Sequence, residues 1–258
     1  MKLSCCVWAL TLPEIDMLNE IKFIGFDSID IQPHMLQSAD SRSLAKSYGF
    51  QVSCVGASFG MPDGVNLDDL DESNRHRAID HAYKTIAHAV DLGADTVYVV
   101  PGMDSSQASL TQFASSMSSI AERASEHHIK ICIEHFPGRA LPTASATLEF
   151  IAEVNHPNLY LLYDSGHIQM AGEDPSDIIL KAGSRLGYVH FDDNDGINDV
   201  HWSLLDGVMT RDDLNKTFHA LHQIGYDGAV SLELSPKLPS PKQSLIASRD
   251  ILLSVMEA

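Results

Sequence analysis

Four residues invite a chemical reading before any fold is assigned: Glu134, Asp164, His190 and Glu233. They lie at the ends of the short apolar runs "IKICIEH", "LYLLYDS", "LGYVHFD" and "GAVSLEL", spaced 30, 26 and 43 residues apart. Three carboxylates and one imidazole form a donor set suited to Mn²⁺ or Mg²⁺, and less typically to zinc. Each residue taken singly has a plainer use. Asp164 suits the N-cap of a following helix, His190 a hydrogen-bonded core imidazole, and a Glu after a strand a surface charge. A carboxylate within the core run "AVSLELS" needs a partner, which strengthens the case for Glu233. One shared cation accounts for all four run ends better than four separate coincidences.

Such a cluster needs elements that bring distant residues together. Eight runs, at 2–8, 26–32, 51–57, 96–102, 129–135, 159–165, 186–192 and 228–234, are short enough for strands. Most are apolar on both alternating faces, as strands buried in a parallel sheet are. Between them lie segments of helical period, clearest at 12–24, 69–92, 107–127, 146–154, 177–182 and 211–224. "DLGAD" at 91–95 and "QIGYDG" at 223–228 place a glycine just past a helix, as a left-handed cap requires. Strands alternating with helices over 258 residues predict an α/β fold, a (β/α)8 TIM barrel, with its chemistry at the strand C-termini. An open nucleotide-binding sheet would want a Gly-rich turn after its first strand. Here Trp8-Ala9-Leu10 follows, and no GxGxxG or P-loop pattern occurs. No linker or shift of composition divides the chain, so residues 1–258 are read as a single barrel domain.

Composition narrows the function classes. The net charge of −18, from 35 acidic and 17 basic residues, argues against nucleic acid as a partner, because phosphate binding needs clustered Lys and Arg. Cys5, Cys6, Cys54 and Cys132 form no CxxC pair, which points away from a zinc knuckle and towards a reducing compartment. No run approaches a membrane span, and the apolar start reaches Pro13 to Asp16 too early for a signal peptide. The protein is therefore expected in the cytoplasm, without a membrane partner.

The segments "IEHFPGR", "LYDSGH", "VHFDDNDGINDVHW" and "SLEL" resemble the xylose-isomerase-like sugar isomerase and epimerase superfamily. That superfamily includes ketose 3-epimerases, hydroxypyruvate isomerase, inosose dehydratase and endonuclease IV. The resemblance spans nearly the whole chain, with its motifs concentrated in the second half. It implies one divalent ion held by Glu134, Asp164, His190 and Glu233, most often Mn²⁺, with Mg²⁺ or Co²⁺ as substitutes. It also implies a substrate-binding role for His167. The pattern H-x-x-D-N-x-G followed by a further His matches His190, Asp193, Asn194, Gly196 and His201, which adds Asp193 and His201 to the substrate site. Arg139 suits a carboxylate or phosphate of the substrate, or a surface acid. Trp202 is read as packing under its loop, and Asp192, Asp195 and Asp199 as a solvated rim.

Two departures qualify the resemblance. Free-sugar ketose 3-epimerases usually carry a second Glu six residues after the first glutamate ligand, and an Arg six residues beyond the histidine ligand. Ala140 and Gly196 stand at those places, so a D-tagatose-type 3-epimerase is not implied. His34 and His135 fall short of the three-zinc pattern of endonuclease IV, and the acidic composition does not suit DNA. The resemblance implies a metal-dependent isomerase or epimerase acting on a sugar, keto-sugar or polyol. Glu134 and Glu233 would be its catalytic residues, moving protons through a metal-stabilised enediolate. A lyase or dehydratase sharing that first step and a non-catalytic sugar-binding barrel are the alternatives. A homo-oligomer is the expected assembly.

Overall fold

Aliphatic and β-branched residues at both parities bury a strand on its two faces, and the eight runs fold accordingly. In the computed structural model, which describes residues 1–256, they form β1 Lys2–Cys6, β2 Ser28–Ile31, β3 Gln51–Gly56, β4 Thr96–Val99, β5 Lys130–Glu134, β6 Leu159–Asp164, β7 Leu186–Phe191 and β8 Ala229–Leu232. All neighbours pair in parallel, and β1 pairs with both β2 and β8, closing a barrel in sequence order. The helices are α1 Glu14–Ile24, α2 Ala39–Ser47, α3 Glu72–Leu92, α4 Gln107–Ser125, α5 Ala144–Val154, α6 Ser165–Ala171, α7 Pro175–Ala182, α8 Arg211–Gln223 and α9 Pro241–Met256.

Helix ends follow local chemistry. Helix α3 starts later than its periodicity suggests, because Asp71 accepts from the Ser73 and Asn74 amides and caps it there. Helix α5 starts earlier, because Thr143 caps it by accepting from the Ala146 amide. Gly93 and Gly225, at φ 72° and 69°, take the left-handed conformation expected where α3 and α8 end. Helices α2, α6 and α9 had no clear signature in the sequence. Helix α6, "SGHIQMA", is too short to show a period. Among the described residues no helix is long and apolar enough to cross a membrane.

Alternation along the strands sorts side chains into two layers. Ile131, Ile133, Leu161, Val189, Phe191, Val230 and Leu232 belong to the large core between barrel and helices. Phe191 stacks there on Phe218 of α8 at a centroid distance of 5.4 Å. Truncating a buried Phe in such a layer costs about 3–5 kcal/mol. Inside the barrel lies a separate cluster that includes Cys54, Tyr98, Cys132, Leu162 and Tyr188. The residues two places further along β5, β6 and β7 from Cys132, Leu162 and Tyr188 are Glu134, Asp164 and His190. Parity therefore aims all three into the barrel mouth.

Candidate metal and active site

Glu134 ends β5, Asp164 ends β6 and pairs with His190 of β7, and Glu233 follows β8 directly. One ligand atom from each of the four lies within 4.8 Å of the others, and all four residues are buried. Three of them share a pattern, in which one polar atom is tied to protein and the other has no hydrogen-bond partner. Asp164 Oδ1 accepts from the His167 amide at 2.7 Å, capping α6, while Oδ2 is unpartnered. Trp8 Nε1–H donates to Glu233 Oε1 at 2.9 Å, and Oε2 is unpartnered. His190 Nε2 meets Asp30 Oδ2 at 3.2 Å, and Nδ1 is unpartnered. His190 Nδ1 and Glu233 Oε2 approach to 2.6 Å without the alignment of a hydrogen bond. Buried polar atoms normally find partners. Atoms left over in this way, from residues otherwise anchored, are what a cation would satisfy, and the oxygen-rich set fits a hard divalent ion.

Asp30 decides which nitrogen of His190 faces the mouth. It is fully buried inside the barrel, where Oδ1 accepts from Ser4, Ser53 and Tyr188 at 2.9, 2.6 and 2.5 Å. Burial opposes its charge, but His190 and the hydroxyls more than offset this and hold its pKa below the usual value. A carboxylate can only accept, so Asp30 favours a hydrogen on Nε2, which would leave Nδ1 to face a cation. The β2–β3 register shifts between Ile29 and Asp30, leaving Ser53 outside the regular pairing, and Ser53 is one of the hydroxyls that bond Asp30.

The electrostatics are those of a crowded anionic centre. Burial, then the charge of Glu233, pushes the Glu134 pKa up. Burial, then Asp192, does the same to Asp164. At Glu233 burial is outweighed by the adjacent His190, and its pKa falls. A dication would relieve the repulsion that forces these carboxyls apart in pKa.

His167 is buried, with Nδ1 3.6 Å from both Glu134 Oε1 and Asp164 Oδ1 and Nε2 3.5 Å from Asp199 Oδ1. Neither nitrogen has a hydrogen-bond partner. His201, in left-handed conformation at φ 47°, sets Nδ1 3.1 Å from Asp192 Oδ2 and Nε2 2.9 Å from Asp199 Oδ1. This corrects the solvated-rim reading of Asp192, whereas Asp199 is exposed at the rim and has two imidazole neighbours. Asp192 is fully buried, with Oδ1 accepting from the Gly166 amide at 2.8 Å. A Cβ at Gly166 would stand 2.5 Å from that carboxylate, so only glycine fits there. The Asp199 side chain is 25 % exposed, and despite partial burial its pKa is lowered by His167 and His201. Asp195 does stay at a loop tip, bonding the Ile197 and Asn198 amides.

Asp193 is placed away from the cavity, against the expected contact with substrate. It is fully buried, and its carboxylate accepts from the Asn194, Gly207 and Met209 amides, bracing the loop that carries His201. Trp202 pairs its backbone with Asp193 and also lines the cavity, so it does more than pack. Glu134, Glu233, His167, His201 and Arg139 line the same cavity of about 890 Å³. Trp8 and Asp30 were not read as site residues in the sequence. The only available signal was position: Asp30 is an acid within an apolar strand, and Trp8 directly follows the first strand.

The sequence matches the profile of the xylose isomerase-like TIM barrel family over residues 18–253. An L-ribulose 3-epimerase of Methylomonas sp. (strain DH-1) is 27% identical over 234 residues, spanning 85% of this chain and 78% of the relative. An inosose dehydratase of Lacticaseibacillus casei is 25% identical over 161 residues, 56% of this chain and 54% of the relative. Uncharacterized protein MJ1311 of Methanocaldococcus jannaschii is 29% identical over 181 residues, 66% of this chain and 60% of the relative. The chain thus spans less than two thirds of the last two. A solved structure of an L-ribulose 3-epimerase superposes with a TM-score of 0.85 at 20% identity, covering 99% of this chain and 94% of that one, a likeness of fold.

Proposed function

The chain belongs to the xylose isomerase-like TIM barrel family, and from that premise we propose that it is a divalent-metal-dependent isomerase or epimerase of a sugar or keto-sugar. The observation that carries the proposal is the convergence of Asp164 Oδ2, His190 Nδ1 and Glu233 Oε2, unpartnered among the described residues, beside Glu134, with Glu134 and Glu233 lining one cavity. Similarity to sugar epimerases and a dehydratase supports an enzyme over a passive binder. Glu134, Asp164, His190 and Glu233 would hold a divalent ion, Mn²⁺ in the first instance, which would supply Lewis-acid chemistry worth several kcal/mol in making the C–H beside a substrate carbonyl more acidic.

The protein's own residues do the rest. Glu134 and Glu233 come from β5 and β8, which are not neighbours in the barrel, and the proposal assigns each its own side of the substrate carbon. One takes the proton and the other returns it, either to the opposite face of the same carbon or to the adjacent carbon. Trp8 fixes the rotamer of Glu233. His167 and His201 hold substrate hydroxyls, and Asp199 lies within 3.5 Å of a nitrogen of each imidazole. The four cysteines are buried and free, which accords with the proposed cytoplasmic setting.

The test is solvent exchange. Mn²⁺-loaded protein incubated with a panel of ketoses, keto-sugars and inososes in D₂O should place deuterium on a carbon next to the carbonyl of at least one of them. Elimination in place of rearrangement would be read as loss of water and would assign the dehydratase branch. No exchange with any member, despite stoichiometric metal, would remove the proposed chemistry.

A further inference from the structure

Arg139 lines the cavity into which Glu134 and Glu233 open, and the proton transfer above makes no use of it. Its backbone is held firmly. Arg139 N donates to Phe136 O at 3.0 Å, Phe136 N to Leu141 O at 3.0 Å, and Ala140 N to Gly102 O at 2.9 Å. The loop after β5 is thus closed on itself and tied to the loop after β4. The guanidinium lies 4.9 Å over the Phe136 ring, and Nη1 donates to Pro101 O at 3.2 Å. Stacking and one carbonyl set the plane of the fork while leaving most of its N–H donors uncommitted.

No carboxylate among the described residues forms an ion pair with this guanidinium, in a chain with 35 acidic residues against 17 basic ones. Asp68 feels its charge without pairing to it; burial, with Asp104 and Asp69, keeps the Asp68 pKa above the usual value. Lys237 is the cavity's other cation, and Glu134, Asp199 and Glu233 line the cavity as well. An anionic ligand group would be repelled there and attracted to Arg139. The cavity, at about 890 Å³, is near the top of the range for drug-sized ligands, roughly 300–1,000 Å³, and so has room for a sugar with a charged substituent.

We infer that the substrate is a polyol or keto-sugar bearing an anionic group, carboxylate or phosphate, which Arg139 receives through its planar fork. Both anions match that fork bidentately. The inference rests on the reading of this cavity as the substrate site.

The test uses Mn²⁺-loaded full-length protein titrated calorimetrically with three matched probes: a ketohexose, the corresponding ketohexuronate and the ketohexose 6-phosphate. The uronate or the phosphate should bind roughly 10- to 100-fold more tightly than the neutral sugar, as a charge-assisted contact implies. Which of the two does so identifies the source of the anion. Arg139→Met keeps an apolar stem over Phe136 and should bring charged and neutral probes to the same affinity, whereas Arg139→Lys should recover part of the difference. The inference is overturned if neither anion is preferred by the wild type, or if Arg139→Met keeps the preference. Should the Met variant fail to fold, an undiminished preference in Arg139→Lys overturns it equally. Solvent labelling, run separately, distinguishes the two readings: an Arg139-dependent preference without exchange would leave this inference standing and remove the proposed reaction. Exchange with neutral sugars and no preference for anions would do the reverse.

Discussion

The first four strands and the loops after them bring Trp8, Phe59, Tyr98 and Val100 to the cavity, whereas the last four bring Glu134, His167, His201 and Glu233. One side of the mouth is aromatic and apolar, with Trp8 and Phe59 at a centroid distance of 5.0 Å. The other is a dense set of ionisable groups. The apolar side lowers the local dielectric, which strengthens every interaction on the charged side and raises the cost of any polar atom there without a partner. Two contacts across the divide orient candidate ligands. Asp30 reaches beneath His190 from β2, and Trp8 reaches Glu233 from the end of β1. The charged half thus supplies reactive atoms, and the apolar half supplies two contacts that orient them.

The largest effect should come from the charged half alone. Glu134→Gln and Glu233→Gln should each lower turnover by 10²–10⁴-fold or more, on the order of a lost acid–base group. Metal content measured by elemental analysis should fall far less, because Gln keeps one ligating oxygen. Full activity in both variants would sink the two-carboxylate mechanism.

Asp30→Asn probes the brace from the apolar half. If Asp30 holds the proton on His190 Nε2, Mn²⁺ affinity should drop by about 10- to 100-fold, the usual size of such a supporting contact. Competition with a chelating dye measures this without any substrate, and an unchanged affinity would show that His190 needs no help from β2.

His167→Ala should weaken substrate capture by roughly tenfold or more, the worth of a hydrogen bond from a charged or buried donor. Metal stoichiometry should hold, since His167 lies outside the four-ligand cluster. Unchanged kinetics with a lowered melting temperature would instead mark His167 as a packing residue.

The smallest change tests the other crossing contact. Trp8→Phe keeps an aromatic wall and removes the indole donor to Glu233 Oε1. A neutral-to-charged hydrogen bond of about 1.5–3 kcal/mol is lost, partly regained from water in an open cavity, so turnover should fall several-fold while metal binding persists. A loss as large as that of Glu233→Gln would mean that Trp8 does more than orient its partner.

The four candidate ligands were legible because residue type and strand position are both local facts. An acid or histidine at the end of an apolar run is visible in "IKICIEH" without any partner in view. Loop residues were not legible in the same way. "DDNDGIND" offers many carboxylates of equal local character, yet Asp192 is buried against Gly166 and His201, Asp193 braces the backbone and Asp195 caps a turn. What separates them is the path of the loop, which contacts from the α6 start and residues 207–209 decide. Arg139 was open between substrate and surface acid for the same reason, since only tertiary placement reveals that no acid among the described residues pairs with it.

The sequence by itself determined the alternation of strands and helices, and with it the parity that turns Glu134, Asp164 and His190 inward, because hydrophobic period and strand pleat act over a few residues. Tertiary structure alone decided which atom of Asp164, His190 and Glu233 is left without a partner among the described residues. Trp8 and Glu233 lie 225 residues apart, and Asp30 and His190 160 apart, so their contacts exist only once β1 closes on β8. Closure depends on the packing of all eight strands together, and no local pattern encodes which oxygen or nitrogen it leaves without a partner.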